Sequence, residues 1–276
     1  MAMKHIKLFE DYTGGMKEKK KLNSLLFKEV RHLRWVENPS IDEVKRLLDL
    51  GADPNARDID PKDPNRMDAT PLMVVAYDWK SPEAARLLLD RGADPNARTR
   101  SGDTPLSYAV NGGKAEAVRF LLDAGSDVNT VDARGSSLLI GGNNAEITRM
   151  LLDAGLDPKK PSPSGTTPLH SASVSSDPDV LKALIDAGAD VNAIDEDGNT
   201  PLDVAKRHAS SYASPNSQRG MDRIKLLILS GADPTTAFDS MQELIDFFAG
   251  YADWIPDSVA EKMKKRSRSR GAFGRF

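Results

Sequence analysis

Thr167-Pro168-Leu169-His170-Ser171-Ala172, followed by Leu184-Ile185-Asp186-Ala187-Gly188-Ala189-Asp190-Val191-Asn192, decides the fold. Pro168 suits the first turn of a helix, where a missing N–H costs nothing, and Thr167 before it can cap that turn. Asp177-Pro178 opens a second helix in the same way, and Leu181, Leu184 and Ile185 then fall on one face at helical spacing. Gly188 ends that helix in the left-handed conformation, which glycine adopts cheaply. Asp190 and Asn192 are turn formers.

Both phrases recur along the chain. The first returns as Thr70-Pro71-Leu72, Thr104-Pro105-Leu106 and Thr200-Pro201-Leu202-Asp203-Val204-Ala205, and in a degraded copy as Ser137-Leu138-Leu139. The second returns at Gly51, Gly92, Gly125, Gly155 and Gly231; with Gly188 in its place, the gaps between successive glycines are 41, 33, 30, 33 and 43 residues. A step near 33 marks an array of stacked repeats. Such an array builds an extended face rather than one deep cleft, and that face usually holds another macromolecule. The fold expected is all-α, a solenoid of helix-turn-helix units with projecting turns (Asp132 to Gly135, Asp195 to Gly198).

No unit buries its apolar face alone, so the ends need divergent capping helices. Residues 20–50 read as a helix pair that lacks the Thr-Pro-Leu phrase, with a Ser40–Glu43 capping box opening its second helix. Met241, Leu244, Ile245, Phe247, Phe248, Trp254, Ile255 and Val259 read as a closing pair within 238–265. The organisation expected is a leader or docking segment at 1–19, a capped solenoid at 20–265 and a basic flexible tail at 266–276. Insertions at Ile59–Met67 and Arg207–Gly220 emerge as loops, either on the binding face or as tolerated surface segments. Gly141-Gly142-Asn143-Asn144 sits where one unit has lost three residues, and predicts a strained or frayed inner helix and a weak point of the stack.

The two phrases in one register resemble the ankyrin repeat, over about residues 38–235. The resemblance implies that His170 is a structural hydrogen-bonding group, and that its slot, filled elsewhere by Met73, Ser107 and Asp203, tolerates change. It also implies that partners touch the turn tips and the exposed starts of the inner helices. By register these are Tyr77, Asp78 and Trp79; Arg100, Asp103 and Asn111; Arg134 and Asn144; Ser164; Glu196, Asp197, Arg207 and His208. Trp79 leads among them, because Trp and Arg dominate binding hot spots; the alternative is that it packs under the first insertion.

The 276 residues contain no Cys, which excludes disulfides and thiolate metal sites. No apolar run reaches the length of a membrane helix, and no secretory segment opens the chain; a cytoplasmic monomer is expected. The four histidines have no metal-ligand spacing. Gly141-Gly142-Asn143-Asn144 lacks the Lys and Ser/Thr of a phosphate loop. No catalytic constellation, metal site or cofactor site emerges, so the chain is not expected to be an enzyme.

Charge is uneven. The chain carries −3, while residues 262–276 hold seven cations and no acid, leaving the remainder at −10. Lys264, Lys265, Arg266, Arg268 and Arg270 form either a solvated end or a nucleic-acid contact. The mixed signs of Arg98 and Arg100 at one end and Glu196 and Asp197 at the other argue against the repeat face tracking a phosphate backbone.

Residues 3–12, Met-Lys-His-Ile-Lys-Leu-Phe-Glu-Asp-Tyr, precede a break expected at Gly14-Gly15. They resemble the short leaders of tailed-phage proteins, and Leu8-Phe9-Glu10 is similar to a prohead protease site; the other reading is an amphipathic first helix docked through Ile6, Leu8 and Phe9. Trp254-Ile255-Pro256-Asp257-Ser258-Val259 faintly resembles an F-box-like start. The leading expectation is thus a scaffold that binds a partner protein. The alternatives are a phage internal or virion-associated protein with a cleavable leader and a DNA-contacting tail, and an adaptor recruiting other machinery through its C-terminal helices.

Overall fold

A computed structural model describes residues 2–35, 40–58, 68–132, 135–141, 144–211, 218–248 and 254–273. Among these there are fourteen α-helices and no strand, as an all-α repeat fold requires. The chain divides into two compact units, Met1–Ala133 and Arg134–Phe276.

The first unit contains α1 (Ala2–His32), a 3₁₀ turn (Leu33–Trp35), α2 (Asp42–Asp49), α3 (Pro71–Asp78), α4 (Pro82–Asp90), α5 (Pro105–Asn111) and α6 (Ala115–Asp123). The inner helices α3 and α5 pack side by side, and α1 packs against both α2 and α3. The core is aliphatic, with Leu26, Leu47, Leu72, Leu88, Leu106 and Leu121 fully buried. Two expectations for the cap change. α1 runs unbroken through Gly14-Gly15: each glycine costs a helix only about 1 kcal/mol, and the Met-Lys-Glu-Lys run that follows is rich in helix formers. The Ser40–Glu43 box does not form either. Arg46 takes both Glu43 carboxylate oxygens at 2.7 Å, and Ser40 Oγ accepts instead from the Asp42 N–H at 3.2 Å.

The second unit contains α7 (Ala145–Asp153), α8 (Pro168–Ala172), α9 (Pro178–Asp186), α10 (Pro201–Ser211), α11 (Gln218–Leu229), α12 (Pro234–Ala237), α13 (Met241–Phe247) and α14 (Asp257–Phe273). Inner helices α8, α10 and α12 pack in series, as do outer helices α7, α9 and α11, and α14 closes on α12. Phe238, Phe247, Phe248 and Trp254 form a chain of edge contacts, with centroids 4.8–5.6 Å apart. Two further expectations change here. The ends of the 207–220 insertion are helical, extending α10 to Ser211 and beginning α11 at Gln218. Where a flexible tail was expected from 266, α14 continues to Phe273. Once a helix is nucleated each added residue costs little, and Lys, Arg and Ala are good formers. The insertion at 59–67 lies outside the described residues.

The repeated phrases act as their chemistry dictates. Thr70, Thr104 and Thr167 each accept a hydrogen bond from the backbone N–H three residues on, with Pro in the first turn. The residue at that third position returns the bond to the Thr N–H in four chemistries: thioether (Met73, 3.3 Å), hydroxyl (Ser107, 2.8 Å), imidazole (His170, 3.2 Å) and carboxylate (Asp203, 2.8 Å). His170 Nδ1 accepts there and Nε2 donates to the Asn199 carbonyl at 3.0 Å, so its role is structural. Each of the six repeated glycines has φ between +84° and +99°.

The Asp-x-Asn turns join one repeat to the next. Asn55 donates to the Gly92 carbonyl and accepts from the Asp94 N–H, both at 2.7 Å. Asn96 does the same with Gly125 (3.2 Å) and Asp127 (2.7 Å), and Asn192 with Gly231 (3.1 Å) and Asp233 (2.8 Å). Asn23 of α1 supplies the first acceptor, for the Asp53 N–H at 2.8 Å. In the second unit Lys159 stands where these asparagines stand, and a lysine offers no acceptor.

The unit at 135–159 differs most. Leu138–Gly141 form turns and no inner helix. The next repeat supplies bonding partners: Ser171 Oγ accepts from the Gly141 N–H at 3.0 Å, and Asp177 Oδ2 from the Ala145 N–H at 3.1 Å.

Candidate functional site

Two neighbouring repeats of the first unit bring several candidate residues together. Tyr77, near the end of α3, is 43% exposed, and its ring meets that of Tyr108 on α5 edge-on, with centroids 6.5 Å apart. Gly112 makes this approach possible: a Cβ there would lie 2.1 Å from the Tyr77 carbonyl oxygen. Asn111, exposed, follows Tyr108 by three residues on the same helix, so the two share a face.

The turn before α5 completes the corner. Thr99 Oγ1 accepts from the Asp103 N–H at 3.0 Å, and Ser101 Oγ donates to Asp103 Oδ2 at 2.6 Å. Arg100 extends its exposed guanidinium toward Asp68, Nε to Oδ2 3.9 Å. Burial pushes the Tyr108 phenol up to about 12, and the negative charges of Asp103 and Asp68 add to the shift. The Tyr108 hydroxyl is buried without a hydrogen-bond partner among the described residues.

A second grouping lies in the second unit. Gly198, Asn199, Asp203, Lys206, Arg207, Thr236 and Ala237 line a groove of about 510 Å³ between α10 and α12. Lys206 is committed there, donating to the Ala237 carbonyl at 2.6 Å and to Glu243 at 2.5 Å over the Phe238 ring. Arg207 donates to Asn199 Oδ1 and is otherwise exposed. Glu196 and Asp197 are exposed at the adjoining turn tip. Burial opposes ionisation of Asp195 beneath them, but the Asn199 backbone N–H and side-chain amide, with His170 nearby, hold its carboxyl below the usual range. The Asn199 bonds to Asp195 close the turn beneath the tip.

The remaining candidates are placed differently. Trp79 caps α3 with φ +50°, and its half-buried ring packs 5.2 Å from Phe120 of α6. Asn144 is half-buried and spends its side-chain oxygen on the Ile147 N–H at 3.1 Å, capping the outer helix α7. Ser164 bonds Ser162 and Thr166 within its own turn. Lys264 and Lys265 are exposed on α14. Arg134 and the side chains of Arg266, Arg268 and Arg270 lie outside the described residues.

Sequence reasoning missed Tyr108 and Asp68. Tyr108 was findable, because it lies one helical turn before Asn111 in the same register. Asp68 was hidden by the insertion that precedes it. Among the described residues no cluster of His, Asp and Glu has the makings of a metal site, and no helix is long and apolar enough to cross a membrane.

Capped helix pairs in series, tied by asparagine rungs, define a helical repeat protein with surface corners and grooves for sites. A family model described as ankyrin repeats (3 copies) matches residues 34–132 and 138–237; the chain belongs to the ankyrin-repeat family. A comparison with curated proteins gives no match. Ankyrin repeats are generally protein–protein interaction modules and are typically non-enzymatic scaffolds.

Proposed function

We propose that this protein is a non-enzymatic scaffold that binds a partner protein through the exposed inner helices and turn tips of its repeats. The observation that carries the reading is the corner of Tyr77, Tyr108, Arg100, Asp103 and Asn111, contributed by adjacent repeats. Exposed aromatic and Arg side chains on a rigid frame are what binding hot spots are made of. Arg207, Glu196 and Asp197 extend the same kind of surface in the second unit; Trp79, Asn144 and Arg134 belong to the candidate set by register. The test is capture of partners from native extract by the wild-type chain and by Tyr77→Ala, Arg100→Ala and Trp79→Ala, with circular dichroism as the fold control. A specific partner lost by folded Tyr77→Ala and Arg100→Ala supports the reading; an identical captured set for all variants counts against it. Trp79→Ala separates packing from binding, because loss of fold there assigns the ring to the core.

A second reading concerns α14. After Glu261 this helix carries Lys262, Lys264, Lys265, Arg266, Arg268 and Arg270 with no acid. We infer a non-specific contact with nucleic-acid phosphates there, without base readout. Binding is then expected to fall steeply with salt and to vanish when the chain is cut after Lys262. Salt-insensitive binding, or binding by the shortened chain, would refute it.

A further inference from the structure

We propose that the last turn tip, at Gly198, seats an extended segment of the partner protein, laid against it backbone-on as a following turn would be. This rests on the partner-binding reading and names what the groove of the second unit receives. Tip glycines recur at Gly102, Gly135, Gly165 and Gly198. At the first three the next turn lies close over the glycine. A Cβ would stand 3.4 Å from the Val131 carbonyl oxygen at Gly102, 2.9 Å from the Pro163 ring at Gly135 and 2.9 Å from the Glu196 nitrogen at Gly165. At Gly198 a Cβ would meet nothing within 4 Å among the described residues.

The sequence explains the difference. Thr104, Thr167 and Thr200 open their inner helices twelve residues after Gly92, Gly155 and Gly188, and a tip occupies each interval. After Gly231 the chain makes no tip: Asp233 caps α12 at once, accepting from the Thr235 N–H at 2.9 Å. The groove of about 510 Å³ between α10 and α12, with Gly198, Thr236 and Ala237 in its walls, follows from that omission.

The filled positions show what fits. At Gly165 the contact is made through backbone, the Glu196 N–H donating to the Ser164 carbonyl at 3.3 Å. Asp197 precedes Gly198 as Ser164 precedes Gly165, and its carbonyl accepts no hydrogen bond among the described residues. Glu196, Asp197 and Gly198 are all exposed, so a ligand can reach them. An extended segment continues the series with its own N–H, as a peptide added to a sheet edge does.

One substitution selects the occupant. His170 Nε2 donates to the Asn199 carbonyl of the turn that follows it, at 3.0 Å. Asp203 fills the same slot beside the groove. Its Oδ2 takes both Thr200 bonds at 2.8 and 2.7 Å, and Oδ1 has no hydrogen bond among the described residues. A carboxylate offers acceptors only, so a turn of a second copy would set a carbonyl against it. A partner segment that presents a donor at that point, a backbone N–H or a hydroxyl, meets no such conflict.

The test pans short random peptides on the full chain and measures the recovered peptides against two variants. Gly198→Asn puts a side chain where the segment would lie. Asparagine tolerates the φ of +80° there and the space is open, so its melting temperature is expected to stay within a few degrees of wild type. Gly165→Asn, blocked by Glu196, is expected to fall further. Asp203→His restores the residue whose capping bond His170 already makes, and replaces an acceptor with a donor. The recovered peptides are expected to bind Gly198→Asn at least about tenfold more weakly, to bind Asp203→His about threefold more weakly, and to lose about tenfold when one particular backbone N–H is methylated. Peptides held equally by wild type and Gly198→Asn overturn the proposal, while leaving partner binding standing elsewhere. Peptides that need Gly198 but withstand methylation at every N–H, or bind Asp203→His as well as wild type, also overturn it. A Gly198→Asn chain that unfolds does the same, because the space beside Gly198 is then already filled. Failure of panning to enrich anything on the wild-type chain removes the partner-binding reading itself, and the proposal with it.

Discussion

Repeats 70–125 and 135–159 were built on the same plan and now differ at almost every point where the plan bears load. The first stretch keeps Thr-Pro caps, inner helices of eight and seven residues and an asparagine rung at Asn96, and it receives the rung of Asn55. The second has Ser137 in place of the cap, a turn in place of the helix, and Lys159 in place of the rung. What survives is apolar burial: Leu138, Leu139, Ile147 and Leu151 remain buried. The difference separates two jobs within one repeat. Aliphatic side chains hold the layer in place, and the polar phrases fix its backbone and its grip on the neighbour. When the polar phrases are lost, the neighbour supplies what it can through Ser171 and Asp177.

The contrast is sharpest in local opening. Amides of Leu139, Ile140 and Gly141 are expected to exchange on the order of 100-fold faster than those of Tyr108 and Ala109 in α5, since repeat arrays open unit by unit. Hydrogen exchange read by mass spectrometry or NMR checks this, and uniform protection of the two stretches would break the comparison.

Steric demand gives the next contrast. Gly112 has an ordinary helical φ of −73° but no room, while Gly141 has room and a φ of +87°. Gly112→Ala is expected to cost about 2–3 kcal/mol through overpacking, and Gly141→Ala about 1 kcal/mol through its left-handed backbone. Urea unfolding of both variants ranks them; equal losses would mean that the α3–α5 approach relaxes freely.

The rungs give a smaller effect than Gly112→Ala. Asn96→Ala removes two bonds between repeats and is expected to cost about 1–2 kcal/mol, and Lys159→Asn to restore about 0.5–1 kcal/mol. A neutral Lys159→Asn, measured in the same way, would show that the turn at Gly188 is not placed to receive a rung.

Much of the architecture was legible because the repeat writes its bonds into residue types. Thr-Pro marks a capped start, Gly a left-handed stop and Asp-x-Asn a turn. Legibility failed where bonds depend on a neighbour outside the phrase. Glu43 was read as half of a capping box, but Arg46 one turn on offered a stronger partner. Gly14-Gly15 read as a break, yet the surrounding helix formers carry α1 across it. At the candidate site, register found Tyr77, Arg100, Asp103 and Asn111 because solenoid faces repeat with the sequence. It did not find Asp68, whose place beside Tyr108 depends on a chain path no repeat predicts. Nor did it reveal that Asn144 is consumed as a cap, a commitment visible only once α7 has a first residue.

The missing rung at Lys159 also has a mechanical meaning. A chain of stacked repeats pulled from its ends shares the load through each junction in turn, and yields where the fewest cross-links resist. In the second unit the junction without a rung lies between the turn at Asp157–Lys159 and the turn at Gly188–Asp190, while the following junction keeps both bonds of Asn192. The Lys159 junction lacks a rung but keeps the bonds of Ser171 and Asp177. Stretching single molecules of the wild type and of Lys159→Asn tests which kind of cross-link carries the load, and a higher force for Lys159→Asn would assign it to the rung.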